Sequence, residues 1–240
     1  MADLLVVDLG LASYADTLAL QREVARARIA GDVAEDVLLL VEHPPVITLG
    51  RSSKSAHMLA TPEYLRQRGV ELFEVERGGD VTFHGPGQLV GYPILDLKRH
   101  RRDLHWYLRQ VEQMLIDGLA VFGLAGDRNP PYTGVWIENR KIASIGVHAR
   151  DWVTWHGFAL NVATDLRYFD LIVPCGIQSV TMTSVNAELP DEPRSVAALA
   201  DAVAAAAGHT FGLSPRRIVL DDLTAQLHST TTAAAARAAD

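Results

Sequence analysis

DVLLLVEHPPVITLG, residues Asp36 to Gly50, is the stretch on which the fold turns. Val37 to Val41 is apolar at every position. A strand with one wet face alternates, whereas a continuous apolar run is buried on both faces. Pro44-Pro45 interrupts the run, and Val46 to Leu49 reads as a second extended piece closed by Gly50. A sheet buried on both faces needs helices packed against it.

Those helices can be read on either side. Val6 to Leu9 suggests a short strand, followed by helical spacing through Tyr14, Leu18, Gln21, Val24 and Ala25 as far as Gly31. Downstream, VELFEVERGG and QLVGYPILDL read as strands, and Pro93 suits an edge or a bulge. Leu104, Tyr107, Leu108, Val111, Leu115 and Leu119 share a helical face behind Asp103, a plausible N-cap. TGVWIENRKIASIGVHA reads as two strands around a turn at Glu138 to Lys141, and WHGFALNVA as one more. Ser195 can cap a last helix through Val196, Leu199, Val203 and Ala206, ending at Gly208. The expectation is one α+β (mixed α/β) domain over residues 1–228, with a mixed, largely buried sheet flanked by helices. The low-complexity STTTAAAARAAD, residues 229–240, is expected to be a frayed or disordered tail.

The composition narrows the function. Among 240 residues there is a single cysteine, which leaves no internal disulfide and no Cys-rich zinc site. It fits a reducing cytoplasm. The formal net charge of −7 argues against a nucleic-acid binder. No apolar run approaches the ~20 residues of a membrane span, and MADLLVVDLG lacks the basic start of a secretory signal. One basic patch stands out, LKRHRR, Leu97 to Arg102. It reads as a solvated loop, or as a docking patch for an acidic protein partner.

Three stretches could carry chemistry. RGGDVTFHGPGQLVGY, Arg77 to Tyr92, is dense in glycine. Such a run is either a pair of tight turns or a backbone that approaches a ligand and offers N–H donors. Arg77 and His84 flank it with polar side chains. Lys141 stands at the predicted hairpin turn. A turn lysine is ordinarily exposed, but this one leads into an apolar strand and could point into a cleft. Cys175 lies between Pro174 and Gly176 in LIVPCGI. A lone cysteine is most often inert packing, yet a Pro-Cys-Gly loop can present a nucleophile and free an adjacent N–H. His43, His57, His100 and His228 read as surface or structural residues, and His156 as a possible pocket residue. Nucleotide fingerprints, HExxH and GxSxG are absent.

Taken in order, RGGDVTFHGPGQLVGYPILDL, TGVWIENRKIASIGVHA, WHGFALNV and LIVPCGI resemble the lipoyl(octanoyl) transferases. The resemblance runs from about Asp36 to Ser184. It implies the fold of the lipoate and biotin protein ligases. It also implies transfer of an octanoyl group from octanoyl-acyl carrier protein to one lysine of an apo lipoyl domain. Such domains belong to 2-oxoacid dehydrogenases and to the glycine cleavage H protein. No cofactor or metal is implied, and neither nucleic acid nor membrane is a partner. By motif, Cys175 resembles the acyl-carrying nucleophile and Lys141 the general acid/base. Arg77, Gly78, Gly79, Asp80, Val81, Thr82, Phe83 and His84 resemble one wall of the substrate site. Ser144, Ile145 and Gly146, and Gly157, Phe158 and Ala159, resemble two others. Val81, Phe83, Ile145, Val147, Phe158 and Leu160 are candidates to line an apolar slot, and the Gly176 N–H to hold an oxyanion. Two rivals stand beside this reading: an ATP-dependent lipoate or biotin ligase of the same fold, and a non-catalytic acyl-binding module.

Overall fold

The structure, a computed structural model, describes residues 2–237. The chain runs β1 (Ala2–Leu11), α1 (Tyr14–Ala30), β2 (Asp36–Glu42), β3 (Val46–Leu49), α2 (Pro62–Gln67), β4 (Glu71–Glu74), β5 (Val81–His84) and β6 (Gln88–Ile94). It continues through α3 (Leu104–Ala120), β7 (Val135–Ile137), β8 (Arg140–Arg150), β9 (Val153–Asn161), β10 (Thr181–Met182), α4 (Val185–Glu188), α5 (Val196–Phe211), β11 (Leu213–Arg217) and α6 (Leu220–Arg237). The main sheet has the order β10-β8-β9-β6-β2-β1-β11, with β7 on β8. It is mixed: β1 pairs in parallel with β2 and β11, while β6, β8 and β9 pair antiparallel.

The apolar run of β2 is buried as its composition requires. Leu38 and Leu40 face one way with Leu4 and Val6, into a core closed by Tyr107, Val111 and Leu115 of α3 and Leu199 and Val203 of α5. Val37, Leu39 and Val41 face the other way with Leu5 and Val7, against Val24 and Ala25 of α1 and Leu223 and Leu227 of α6. The result is helix, sheet, helix in three layers. The expected mixed sheet is present. A second sheet of three strands, β4-β3-β5, has no herald in the local pattern. The chain leaves the main sheet at Pro44-Pro45, and β3 joins the smaller one, which has its own core around Ile47, Val81 and Phe83.

The helix starts are capped as their residues predict. Ser13, Asp103 and Ser195 each accept a backbone N–H of the first turn with the side chain. The end of α5 differs. It runs past Gly208 to a left-handed Gly212, because Gly208 sits inside the helix where Pro215 leaves no room for a Cβ. Pro93 also differs. It lies in β6, between β2 and β9, and not on an edge. The β6–β9 ladder breaks beside it instead. Thr154 Oγ1 bridges the Leu95 N–H and the Pro93 carbonyl, and the His156 N–H donates to Gln21 Oε1 of α1 at 2.9 Å. The missing proline donor is thus absorbed in the sheet interior. The tail expected from residue 229 continues α6 as far as Arg237; residues 238–240 lie outside the described residues. No helix among the described residues is long and apolar enough to cross a membrane.

Candidate active site

One pocket of about 500 Å³ lies between the two sheets and gathers most of the predicted residues. Its walls include Arg77, Gly78, Gly79, Asp80, Thr82 and His84, then Ser144, Ile145 and Gly146 of β8, Gly157 and Phe158 of β9, and Lys141, Cys175 and Gly176. Three expected residues are elsewhere, for one reason: a strand sends alternate side chains to opposite faces. Thr82 and His84 face the pocket, so Val81 and Phe83 point away into the core of the small sheet. Phe158 faces it, so Ala159 packs toward α1 and α6. Leu160 is likewise part of the main core. The apolar lining comes instead from Ile145, Val147 and Phe158 with Leu104 and Leu108 of α3 and Ile177.

Lys141 is not on an exposed turn. The turn closes at Glu138, which is left-handed, and Lys141 lies one residue inside β8, 1% exposed. Its stem packs beside Gly134, where a Cβ would approach Lys141 Cε to 2.9 Å. Its Nζ sits 4.9 Å from the Trp136 ring centroid and 3.3 Å from Cys175 Sγ. Among the described residues no carboxylate forms an ion pair with it. A buried ammonium needs an anion or strong acceptors nearby, and here the sulfur is the neighbour. Cys175 reaches Ser144 Oγ at 3.6 Å as well. Two segments 34 residues apart meet because β10, which follows the cysteine loop, pairs with Arg140 and Lys141.

Cys175 occupies the left-handed region at φ 55°, ψ 18°. For a non-glycine residue that conformation costs of order 1–3 kcal/mol, and such costs concentrate at functional sites. Gly176 follows at φ +68°, and a Cβ there would meet Asp80 Oδ2 at 2.7 Å and His57 Cε1 at 3.1 Å. Glycine is therefore required twice over. The Gly176 N–H, expected to be available for an oxyanion, already donates to the Val173 carbonyl at 3.0 Å. His57, a surface or structural residue by its local sequence, belongs to the same corner. It donates Nδ1–H to Asp80 Oδ2 at 2.6 Å and accepts the Val173 N–H on its carbonyl at 2.8 Å. Nothing in the residues around it announces this contact.

The glycine-rich run is not one loop. Residues 77–80 form a loop, Val81–His84 is β5, Gly85 to Gly87 is a tight turn, and β6 follows. Its glycines serve Arg77 more than a ligand. The guanidinium, 7% exposed, donates to the Thr48 carbonyl and hydroxyl at 2.7 and 2.8 Å and to the Gly78 carbonyl at 3.1 Å. A Cβ at Gly50 would come to 2.6 Å from Arg77 Nη1, and one at Gly146 to 3.1 Å from its Cδ. The Gly78 N–H donates to the Val147 carbonyl at 2.8 Å, docking the loop on β8. Burial pushes the Arg77 guanidinium below its usual range.

His84 has a defined proton. Gln88 Nε2 donates to the Phe83 carbonyl and to Asn161 Oδ1, so Gln88 Oε1 accepts from His84 Nδ1–H at 2.9 Å. Its other nitrogen is unprotonated, and burial pushes the ring down to about 3. Burial also pushes His43 down to about 4, with its Nδ1–H on the Ala12 carbonyl. Both values lie below the ordinary 6.5. The unfolded chain therefore binds more protons once pH falls below about 6.5. The stability these rings contribute is fully present above that value and is lost as pH falls toward 4 and 3. Each adds a slope of about 1.4 kcal/mol per pH unit in that window. The urea midpoint should fall steadily between pH 7 and pH 5; a flat profile there would contradict neutral, buried rings.

The basic patch is largely neutralised locally. Lys98 pairs with Asp96, His100 with Asp36 and Arg101 with Asp103, and Arg99 reaches the Ala34 carbonyl. It reads as a structured corner before α3.

Comparison with known proteins follows the same lines. Residues 13–208 match the lipoyl protein ligase A/B catalytic domain. An octanoyltransferase of Rubrobacter xylanophilus is 54% identical over 185 residues, covering 76% of this chain and 82% of the relative. One of Synechococcus elongatus is 46% identical over 221 residues, covering 92% and 93%. Among solved structures, lipoate-protein ligase A bound with ATP superposes with a TM-score of 0.75 at 18% identity, covering 95% of this chain and 93% of that one. Ta0514, a putative lipoate protein ligase of T. acidophilum, gives 0.73 at 16%, covering 95% and 93%. The fold is that of the lipoate protein ligases, and with four-fifths of its length inside the matched region the chain belongs to the lipoyl protein ligase A/B catalytic domain family.

Proposed function

We propose that the chain is an acyltransferase that moves an octanoyl or lipoyl group from acyl carrier protein to one lysine of an apo lipoyl domain, through a thioester on Cys175. The observation that carries this is the 3.3 Å approach of Lys141 Nζ to Cys175 Sγ at one wall of a partly apolar pocket. The relatives at about half identity bear the name octanoyltransferase, which supports the acyl group. The acceptors in view are the lipoyl domains of 2-oxoacid dehydrogenases and the glycine cleavage H protein.

In the first half-reaction the Cys175 thiolate, facing the Lys141 ammonium, attacks the donor thioester carbon. The donor C–S bond breaks, and the departing carrier thiolate takes a proton from Lys141. In the second, a neutral acceptor amine attacks the new thioester. The C–Sγ bond breaks, the nitrogen passes a proton to Lys141, and the ammonium–thiolate pair is restored. A covalent intermediate lets one carrier leave before the other docks. Thioester to amide is downhill, so no nucleotide is consumed. The Lys141 ammonium is the cation within reach of the developing oxyanion. A reducing, cytoplasmic setting suits the free thiol.

Incubation with octanoyl-acyl carrier protein, without ATP or acceptor, should add the mass of one octanoyl group to Cys175. Activity that appears only with ATP, and no adduct, would assign the chain to the ligases. Binding of the octanoyl carrier with no transfer under either condition would mark an acyl-binding module.

A further inference from the structure

We infer that Asp80, backed by His57, is the recognition point for the ammonium group of the incoming acceptor lysine; this rests on the reading just given. The pocket holds two buried cations, Lys141 and Arg77. A lysine side chain arriving as an ammonium is repelled by both. Among the described residues that line the pocket, Asp80 is the one carboxylate. It is 8% exposed.

Its position is set on three sides. Oδ1 accepts the Val81 N–H at 2.7 Å, and Oδ2 accepts His57 Nδ1–H at 2.6 Å. The same Oδ2 lies against residue 176, close enough that a Cβ there would come to 2.7 Å. The carboxylate therefore abuts the residue next to the nucleophile. Each carboxylate oxygen carries two lone-pair sites, so both retain one for a substrate donor. His57 anchors the arrangement to the cysteine loop through its carbonyl on the Val173 N–H.

The charge is unfavourable for the first half-reaction, since a carboxylate beside Cys175 opposes the thiolate. It is favourable for the second, where the nucleophile arrives as a cation. The ammonium binds at Asp80, sheds one proton to water, and the neutral amine turns to the thioester. Asp80 thus acts on acceptor binding more than on the chemical step.

The test uses Asp80→Asn in the full chain. Asn can still accept the Val81 N–H, and His57 can turn its tautomer to accept from the amide. Wild type and variant are first acylated, and the octanoyl–enzyme is then offered an apo lipoyl domain or hydroxylamine, a neutral nucleophile. The expected result is a rise of about tenfold in the acceptor-domain KM, with the hydroxylamine rate changed less than twofold. An unchanged KM for the lipoyl domain would overturn the inference, and so would equal losses toward both nucleophiles, which mark a merely structural role. If wild type forms no octanoyl–enzyme, the proposed reaction itself fails, a separate outcome from either.

Discussion

Cys175→Ala should lower octanoyl transfer by about a thousandfold or more and abolish the octanoyl–enzyme adduct, with folding retained. Removing a covalent nucleophile from a site whose members act as a unit has effects of at least this order. The fold should survive because alanine keeps the Cβ. The backbone penalty at φ 55° is therefore the same before and after. The sulfur gives up only long interactions, 3.6 Å to Ser144 Oγ and 3.3 Å to Lys141 Nζ. Intact-mass measurement after exposure to the octanoyl carrier reads the adduct, and a urea titration reads the fold. Transfer at wild-type rate by Cys175→Ala would remove the covalent route altogether.

Lys141→Met should cost about 10²- to 10⁴-fold in turnover, the range for loss of a positioned acid–base group. Methionine keeps much of the stem between Trp136 and Gly134, so packing is disturbed little. What disappears is the cation opposite the sulfur. Alkylation of Cys175 by iodoacetamide near neutral pH should slow in parallel, because the thiolate loses its counter-charge. Lys141→Arg should not rescue. The guanidinium is too bulky for a site that is 1% exposed, and it cannot give up a proton in the second half-reaction. Rapid alkylation together with lost turnover would mean that Lys141 acts on the acceptor alone.

Much of the architecture is legible in the chain because it depends on local pattern. The five apolar residues of β2 require two covering layers, and the spacing behind Asp103 yields α3 with its cap. Lys141 is harder to place. Glu138 closes the hairpin early, and that small difference turns an exposed turn lysine into a buried one. Val81, Phe83 and Ala159 share the motifs of the pocket without sharing its wall, because motifs are contiguous while strands send neighbours to opposite faces. His57 illustrates what spacing cannot carry. Its tie to Asp80 spans 23 residues and depends on how a 3₁₀ turn rests against the cysteine loop. The Lys141–Cys175 contact is of the same kind, long in sequence, and only the resemblance of whole motifs points to it.

The socket around Arg77 has a consequence for how such a chain can change. Thr48, Gly50, Gly78 and Gly146 come from three separate segments, yet each answers to the same guanidinium. Substitutions at residues sharing one partner do not add. A side chain at Gly50 or Gly146 is a loss while the arginine fills the space, and a shorter residue at 77 is a loss while the glycines leave it empty. These positions therefore form one heritable block, closed to single steps and open only to joint replacement. A redesign of the pocket that varies them one at a time will see only failures, whatever acyl chain it is meant to admit.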